Sequence, residues 1–115
     1  MKNDRTYLLH ILDAVERIET YIAVGREVFL RTPHWQDGVI RQLEIIGEAS
    51  KRLSTEARHG YPEVPWRRIS GLRDKLIHNY LGVDLVAVWE IASRQIPELK
   101  RSVARILASK EGPSS

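Results

Sequence analysis

Ile69-Ser70-Gly71-Leu72-Arg73-Asp74-Lys75-Leu76-Ile77-His78-Asn79-Tyr80 is the stretch whose reading decides the fold. At ~100° per residue, Ile69, Leu72 and Leu76 fall on one helical stripe, and Ser70, Ile77 and Leu81 form a second stripe close beside it. Arg68, Lys75 and Asn79 remain for a solvated arc. A helix apolar over about half its circumference, wider than the ~100° a single surface helix needs, has two things to pack against. One is read as its own bundle and the other as a partner subunit.

Arg73, Asp74, His78 and Tyr80 are set into that second face. Asp74 and His78 are four residues apart and stack on one side, where a carboxylate can orient an imidazole; Arg73 and Tyr80, seven apart, are nearly eclipsed. A guanidinium can hold a phosphate through two hydrogen bonds, and an imidazole can move protons near neutral pH. The residue types therefore suit phosphate chemistry. Each also has a plainer reading: Arg73 as an ordinary salt-bridging arginine, Asp74 as a surface acid, His78 as a polar surface or interface residue, and Tyr80 as a core tyrosine whose hydroxyl reaches solvent.

The spacing R-x4-H-x-Y formed by Arg73, His78 and Tyr80 resembles the hallmark of the HEPN superfamily, specifically the HepT-like toxins of HepT/MntA toxin–antitoxin systems. Leu43-Glu44-Ile45-Ile46-Gly47-Glu48-Ala49 is similar to the I-G-E-A run in that family's second helix, and Val83-Asp84 followed by Trp89 resembles the start of its last helix. The likeness spans roughly residues 5 to 108. The expected fold is all-α, a HEPN-like antiparallel four-helix bundle with an extra short helix, forming a symmetric dimer, and the likeness implies metal-independent endoribonuclease activity. It implies Arg73 and His78 as catalytic residues, RNA as substrate, and no cofactor or metal; the supporting role of Asp74 rests on its i,i+4 spacing to His78 alone, beside the reading of it as a surface acid. It further implies an MntA-like nucleotidyltransferase antitoxin that attaches AMP to Tyr80. Other readings stay open: an RNA- or nucleotide-binding HEPN domain without cleavage, a helical dimerisation module, or a chain that is chiefly a substrate of a nucleotidyltransferase.

The bulk properties are compatible with this. A chain of 115 residues, 43% hydrophobic and 29% charged, suffices for one core and not two. We expect a single domain over residues 1–110 and a flexible tail over 111–115. No apolar run approaches the ~18 residues of a membrane span, and nothing at the start reads as an export signal, so a cytoplasmic location is expected. Without cysteine there is no disulfide, thiolate metal site or cysteine nucleophile. The net charge is +3, but Lys51 to Lys75 holds seven basic residues against three acidic ones, a net of +4. That segment is either a polyanion-binding surface or a set of solvated helix faces.

Along the chain, Asp4 or Thr6 can cap a first helix whose Leu8, Ile11, Leu12, Val15, Ile18 and Ile22 recur at three- and four-residue steps, running to about Val24. Gly25 interrupts it, and Val28-Phe29-Leu30 is a short apolar continuation. Thr32-Pro33 is a restart signal, and the next helix carries Val39, Leu43, Ile46, Ser50 and Leu53 inward, with Gly47 permitting close helix approach. The breakers between Ser54 and Pro65 predict the longest loop. Pro65 opens the motif helix, expected to end near Tyr80 to Gly82. Asp84 caps the last helix, with Leu85, Val88, Trp89, Ala92, Ile96, Leu99, Val103, Ile106 and Leu107 inward, and Pro97 should kink it. Trp35, Trp66 and Trp89 are read as core or interface anchors, Glu48 as a residue able to hydrogen-bond within the site, and His10, His34 and His59 as structural or surface residues.

Overall fold

The computed structural model describes residues 4–72, 74 and 84–109, and among these every regular element is helical. In order they are α1 (Asp4–Ile22), α2 (Arg26–Arg31), α3 (Pro33–Lys51), α4 (Thr55–Gly60), α5 (Trp66–Ser70), α6 (Leu85–Glu90), a π-helical turn (Ile91–Gln95) and α7 (Ile96–Ala108). The apolar steps of the sequence become one core. Leu8, Ile11, Val15 and Ile18 of α1 and Val39, Leu43 and Ile46 of α3 are buried with Val88, Ile96, Leu99, Val103 and Ile106 of the C-terminal helices. Leu53, Trp66, Ile69 and Leu72 extend the same cluster towards the motif segment.

Long-range polar contacts fix the helix directions. The start of α1 meets the end of α3: Asp4 accepts hydrogen bonds from the Ser54 backbone N–H at 2.8 Å and from its hydroxyl at 2.7 Å. The end of α1 meets the start of α7, where the Lys100 ammonium donates to both oxygens of Glu19 at 2.9 and 3.0 Å. Both α3 and α7 therefore run antiparallel to α1. Between α1 and α3, a Cβ on Gly38 would stand 3.1 Å from the Tyr21 ring, so the ring packs against a residue without a side chain.

Local chemistry explains most of the boundaries. The backbone turns at Gly25, whose φ of 93° is in the left-handed region that glycine tolerates, and α1 stops at Ile22, two residues before the sequence reading. Pro33 opens α3 behind an extended Thr32, as expected, and the Gln36 side chain donates to the Phe29 carbonyl at 2.9 Å, tying α3 to the end of α2. The stretch expected to be one long loop contains α4. Ser54 caps it by accepting from the Ala57 N–H at 3.0 Å, and Gly60 is its last residue. Pro65 then sits at φ −78°, ψ 69°, the centre of an inverse γ-turn closed by the Trp66 N–H on the Val64 carbonyl at 2.8 Å. The kink expected at Pro97 takes the form of the π-helical turn before it. The Ile96 N–H reaches back five residues to the Ile91 carbonyl, a wider turn that makes room for a proline ring which would clash with a regular preceding turn.

Asp4 does something other than the simple helix capping read from the sequence: its carboxylate crosses to Ser54, which in turn caps α4. Burial alone would raise the Asp4 pKa, the hydrogen bonds from the Ser54 hydroxyl and backbone act against it, and the net effect holds the carboxyl below its ordinary value. A depressed folded pKa means that this stability is present above the unfolded value of about 3.9 and is lost as pH falls through the folded one. Asp4→Asn should therefore cost about 1.5–3 kcal/mol at pH 7. Urea midpoints of the two proteins should converge as the pH is taken down below the ordinary carboxylate range; a gap that stays constant with pH would show that the charge is not involved.

Candidate functional site

The motif segment is held at both ends. On the approach, Trp66, Ile69 and Leu72 are buried on successive turns, and the indole Nε1–H of Trp66 donates to the Tyr61 carbonyl at 3.0 Å. The Ser70 hydroxyl returns to the Trp66 carbonyl at 2.7 Å, a bond that closes one turn of α5. On the far side Asp84 caps α6, accepting from the Ala87 N–H at 3.0 Å. Trp89 follows, its ring 5.4 Å from that of the fully buried Phe29. Of the four residues read as the site, Asp74 is helical and exposed. Arg73, His78 and Tyr80 lie outside the described residues, as do Leu76, Ile77 and Leu81 of the two stripes and the 111–115 tail.

Two clefts among the described residues carry charged side chains. One lies between α1 and α3, about 430 Å³ in volume, with Tyr7, His10, Arg41, Glu44, Glu48 and Arg52 around it. Its charges are mixed, and the Glu48 carboxylate meets the Arg52 guanidinium one turn on at 3.4 Å with both side chains about half exposed. Glu48 of the I-G-E-A run thus faces this groove and pairs along its own helix. Leu43, Ile46, Gly47 and Ala49 of the same run are buried in the core.

The second cleft, about 610 Å³ and open, lies where the end of α3, α4 and α5 meet; Lys51, Arg58, His59 and Arg67 stand around it, over a floor that includes Pro65 and Trp66. Among the described residues no carboxylate lines it. In the sequence the basic residues of the Lys51–Lys75 segment are divided between two helix faces and the expected loop. Lys51 at the end of α3, Arg58 of α4 and Arg67 of α5 come together around one concavity, while Glu56, Glu63 and Asp74 are exposed outside its lining. His10, His34 and His59 are all exposed; His34 packs edge-on against Trp35. Among the described residues no group of histidine and carboxylate side chains could hold a metal ion, and no helix is long and apolar enough to cross a membrane.

An all-helical bundle that pins both ends of an R-x4-H-x-Y segment is a HEPN-like architecture. The family described as Ribonuclease HepT-like matches residues 11–106, nearly the whole chain, and the chain belongs to that family. A protein of Caldanaerobacter subterraneus subsp. tengcongensis, named as a candidate RNase, is 45% identical over 108 residues, covering 93% of this chain and 96% of its own. One from Thermococcus cleftensis, named as a candidate ribonuclease HepT, is 43% identical over 100 residues, covering 86% and 91%. A candidate RNase of Methanocaldococcus jannaschii is 38% identical over 109 residues, covering 94% and 90%. A comparison with solved structures finds no match.

Proposed function

We propose that this chain is a metal-independent endoribonuclease and the toxin of a toxin–antitoxin pair. The observation that carries this reading is the intact Arg73, His78, Tyr80 spacing in a chain that matches the HepT-like ribonuclease family from residue 11 to residue 106. In the proposed reaction two protomers pair about a two-fold axis that brings their motif helices together. His78 of one protomer takes the proton from a ribose 2′-hydroxyl as its oxygen attacks the adjacent phosphorus. The bond from phosphorus to the 5′-oxygen breaks, and His78 of the other protomer delivers a proton to that departing oxygen. Both Arg73 guanidinium groups hold the non-bridging oxygens as negative charge builds on them. Asp74, four residues before His78, orients its imidazole. The product ends in a 2′,3′-cyclic phosphate.

Tyr80 is the point of control. A nucleotidyltransferase antitoxin of the MntA type transfers AMP from ATP to the phenol oxygen, with pyrophosphate leaving and the phenol proton released to solvent. The modified residue loses its hydroxyl donor and gains a negative phosphodiester and an adenosine, which repel and block RNA. Neutralisation then needs no lasting complex.

The test uses purified protein in excess chelator, offered RNA and DNA of one sequence, with and without prior treatment by the nucleotidyltransferase and ATP. The expected result is RNA fragments with cyclic phosphate ends, uncut DNA, and inhibition by the treatment for wild type but not for Tyr80→Phe. Equal cutting of DNA, or cutting only with added divalent metal, would sink the mechanism. A Tyr80→Phe protein inhibited as readily as wild type would place the control elsewhere.

A further inference from the structure

We infer that the basic cleft at the junction of α3, α4 and α5 is a binding track for RNA phosphates on one side of the bond that is cut. The inference rests on the ribonuclease reading and specifies how such an enzyme would grip its substrate away from the reacting atoms. Three observations converge on it.

The first is charge sorting. Lys51, Arg58 and Arg67 share the cleft with His59 and, among the described residues, with no carboxylate. Some surface cations pair with acids one helical turn away, as Arg17 does with Asp13, Arg52 with Glu48 and Arg94 with Glu90. Lys51, Arg58 and Arg67 have no such partner among the described residues. Like charges gathered around a concave surface raise its positive potential, and the ligand that lowers their mutual repulsion is an anion with several charges.

The second is the floor. Pro65 sits in a γ-turn, and Trp66 is 6% exposed with its indole N–H already bonded to Tyr61. The cations therefore stand on a preorganised surface rather than a deformable loop. That surface also offers apolar area beside the charges, which suits a nucleic-acid strand better than a free inorganic anion.

The third is continuity. Arg67 and Ser70 both line the cleft and precede Arg73 by six and three residues on the same stretch of chain. A strand whose phosphates lie across Lys51, Arg58 and Arg67 thus occupies a surface that leads into the segment carrying the motif. Cations near this segment serve a polymer substrate: they add affinity without entering the chemistry and make that affinity depend on salt.

The test measures binding of a fluorescent 2′-O-methyl oligoribonucleotide, which has no free 2′-hydroxyl to react, as a function of salt. Wild type is compared with Lys51→Ala/Arg58→Ala/Arg67→Ala, with the charge-retaining Lys51→Arg/Arg58→Lys/Arg67→Lys, and with Arg17→Ala/Arg94→Ala/Arg101→Ala as a surface control. The expected result for the alanine cleft variant is an affinity loss of at least about tenfold. The slope of log affinity on log salt should fall by about 2, near 0.7 for each phosphate contact removed. The charge-retaining variant should regain most of the affinity, and the control should match wild type. Unchanged affinity and slope in a folded alanine variant, or no RNA binding by wild type, would overturn the inference. So would a variant that keeps RNA but loses a nucleotidyltransferase, since the cleft would then be a protein contact. Because the probe cannot react, the result is independent of cleavage. Cleft-dependent binding by a protein that never cuts RNA would remove the proposed reaction and leave this track in place.

Discussion

Replacing His78 with alanine should lower the rate of RNA cleavage by about 10²–10⁴-fold, the range one positioned proton-transfer group contributes. On the proposed mechanism the loss falls at the upper end, because one substitution removes both the base and the acid of a two-fold site. The effect should appear in kcat with little change in KM, since the imidazole acts on protons in transit and the cations hold the strand. Wild-type cleavage should follow a bell-shaped pH profile with both limbs in the histidine range. Arg73→Ala should also lose rate, but by weakening phosphate contacts, so KM should rise with it. In cells, wild type should arrest growth and leave RNA fragments with cyclic phosphate ends, and His78→Ala should do neither at equal expression. Arrest by His78→Ala as severe as by wild type would remove this histidine from the chemistry.

The second large effect is on stability. Phe29 is fully buried, although α2 is only six residues long and contributes no other side chain to the innermost core. Phe29→Ala should cost about 3–5 kcal/mol, the transfer term plus the cavity left behind. Against a total of about 5–15 kcal/mol for a domain, that loss brings the protein close to its unfolding threshold at 37 °C. Phe29→Leu, which keeps most of the volume, should cost distinctly less. The ring packs on Trp89 in α6, the first element described after the motif segment. Loss of Phe29 should therefore loosen the far anchor of that segment and reduce cleavage even where the chain stays folded. Urea midpoints and residual activity of the two variants check both halves. A Phe29→Ala cost below about 1 kcal/mol would mean that the surrounding side chains close the cavity, and that α2 is an ornament on the bundle.

Sequence periodicity located the buried faces of α1 and α3 because those helices are long and each packs on one side: every residue assigned inward on α3 is buried. The last helix was also legible, except that its proline bend is spread over a widened turn. The inward steps Val88, Ala92 and Ile96 are two consecutive fours, and that spacing was the available sign. α4 was hidden because six residues between breakers carry no measurable period, while the signal that was present, Ser54 as a cap, is shared by ordinary turns. The basic cleft was half visible. The charge excess is linear information, but the pairing of Lys51 with Arg58 and Arg67 across one concavity depends on a return of the chain that no local pattern encodes. Arg73, His78 and Tyr80 rest on spacing and on the family match, and Asp74 alone of the four is placed by the structure.

The position of α1 between its two neighbours has a consequence for how the protein is made. α1 packs on α3 and on α7, one following soon after it in the chain and the other close to the last residues described. At synthesis rates of roughly 5–20 residues per second, residue 96 follows residue 22 by roughly 4–15 s. Throughout that interval a nascent chain has one wall of its core and lacks the other. The core cannot close on the ribosome before the C-terminal helix is translated, so a transcript cut short ahead of α7 yields a chain that leaves one side of α1 uncovered and becomes a target for chaperones and proteases rather than a folded bundle.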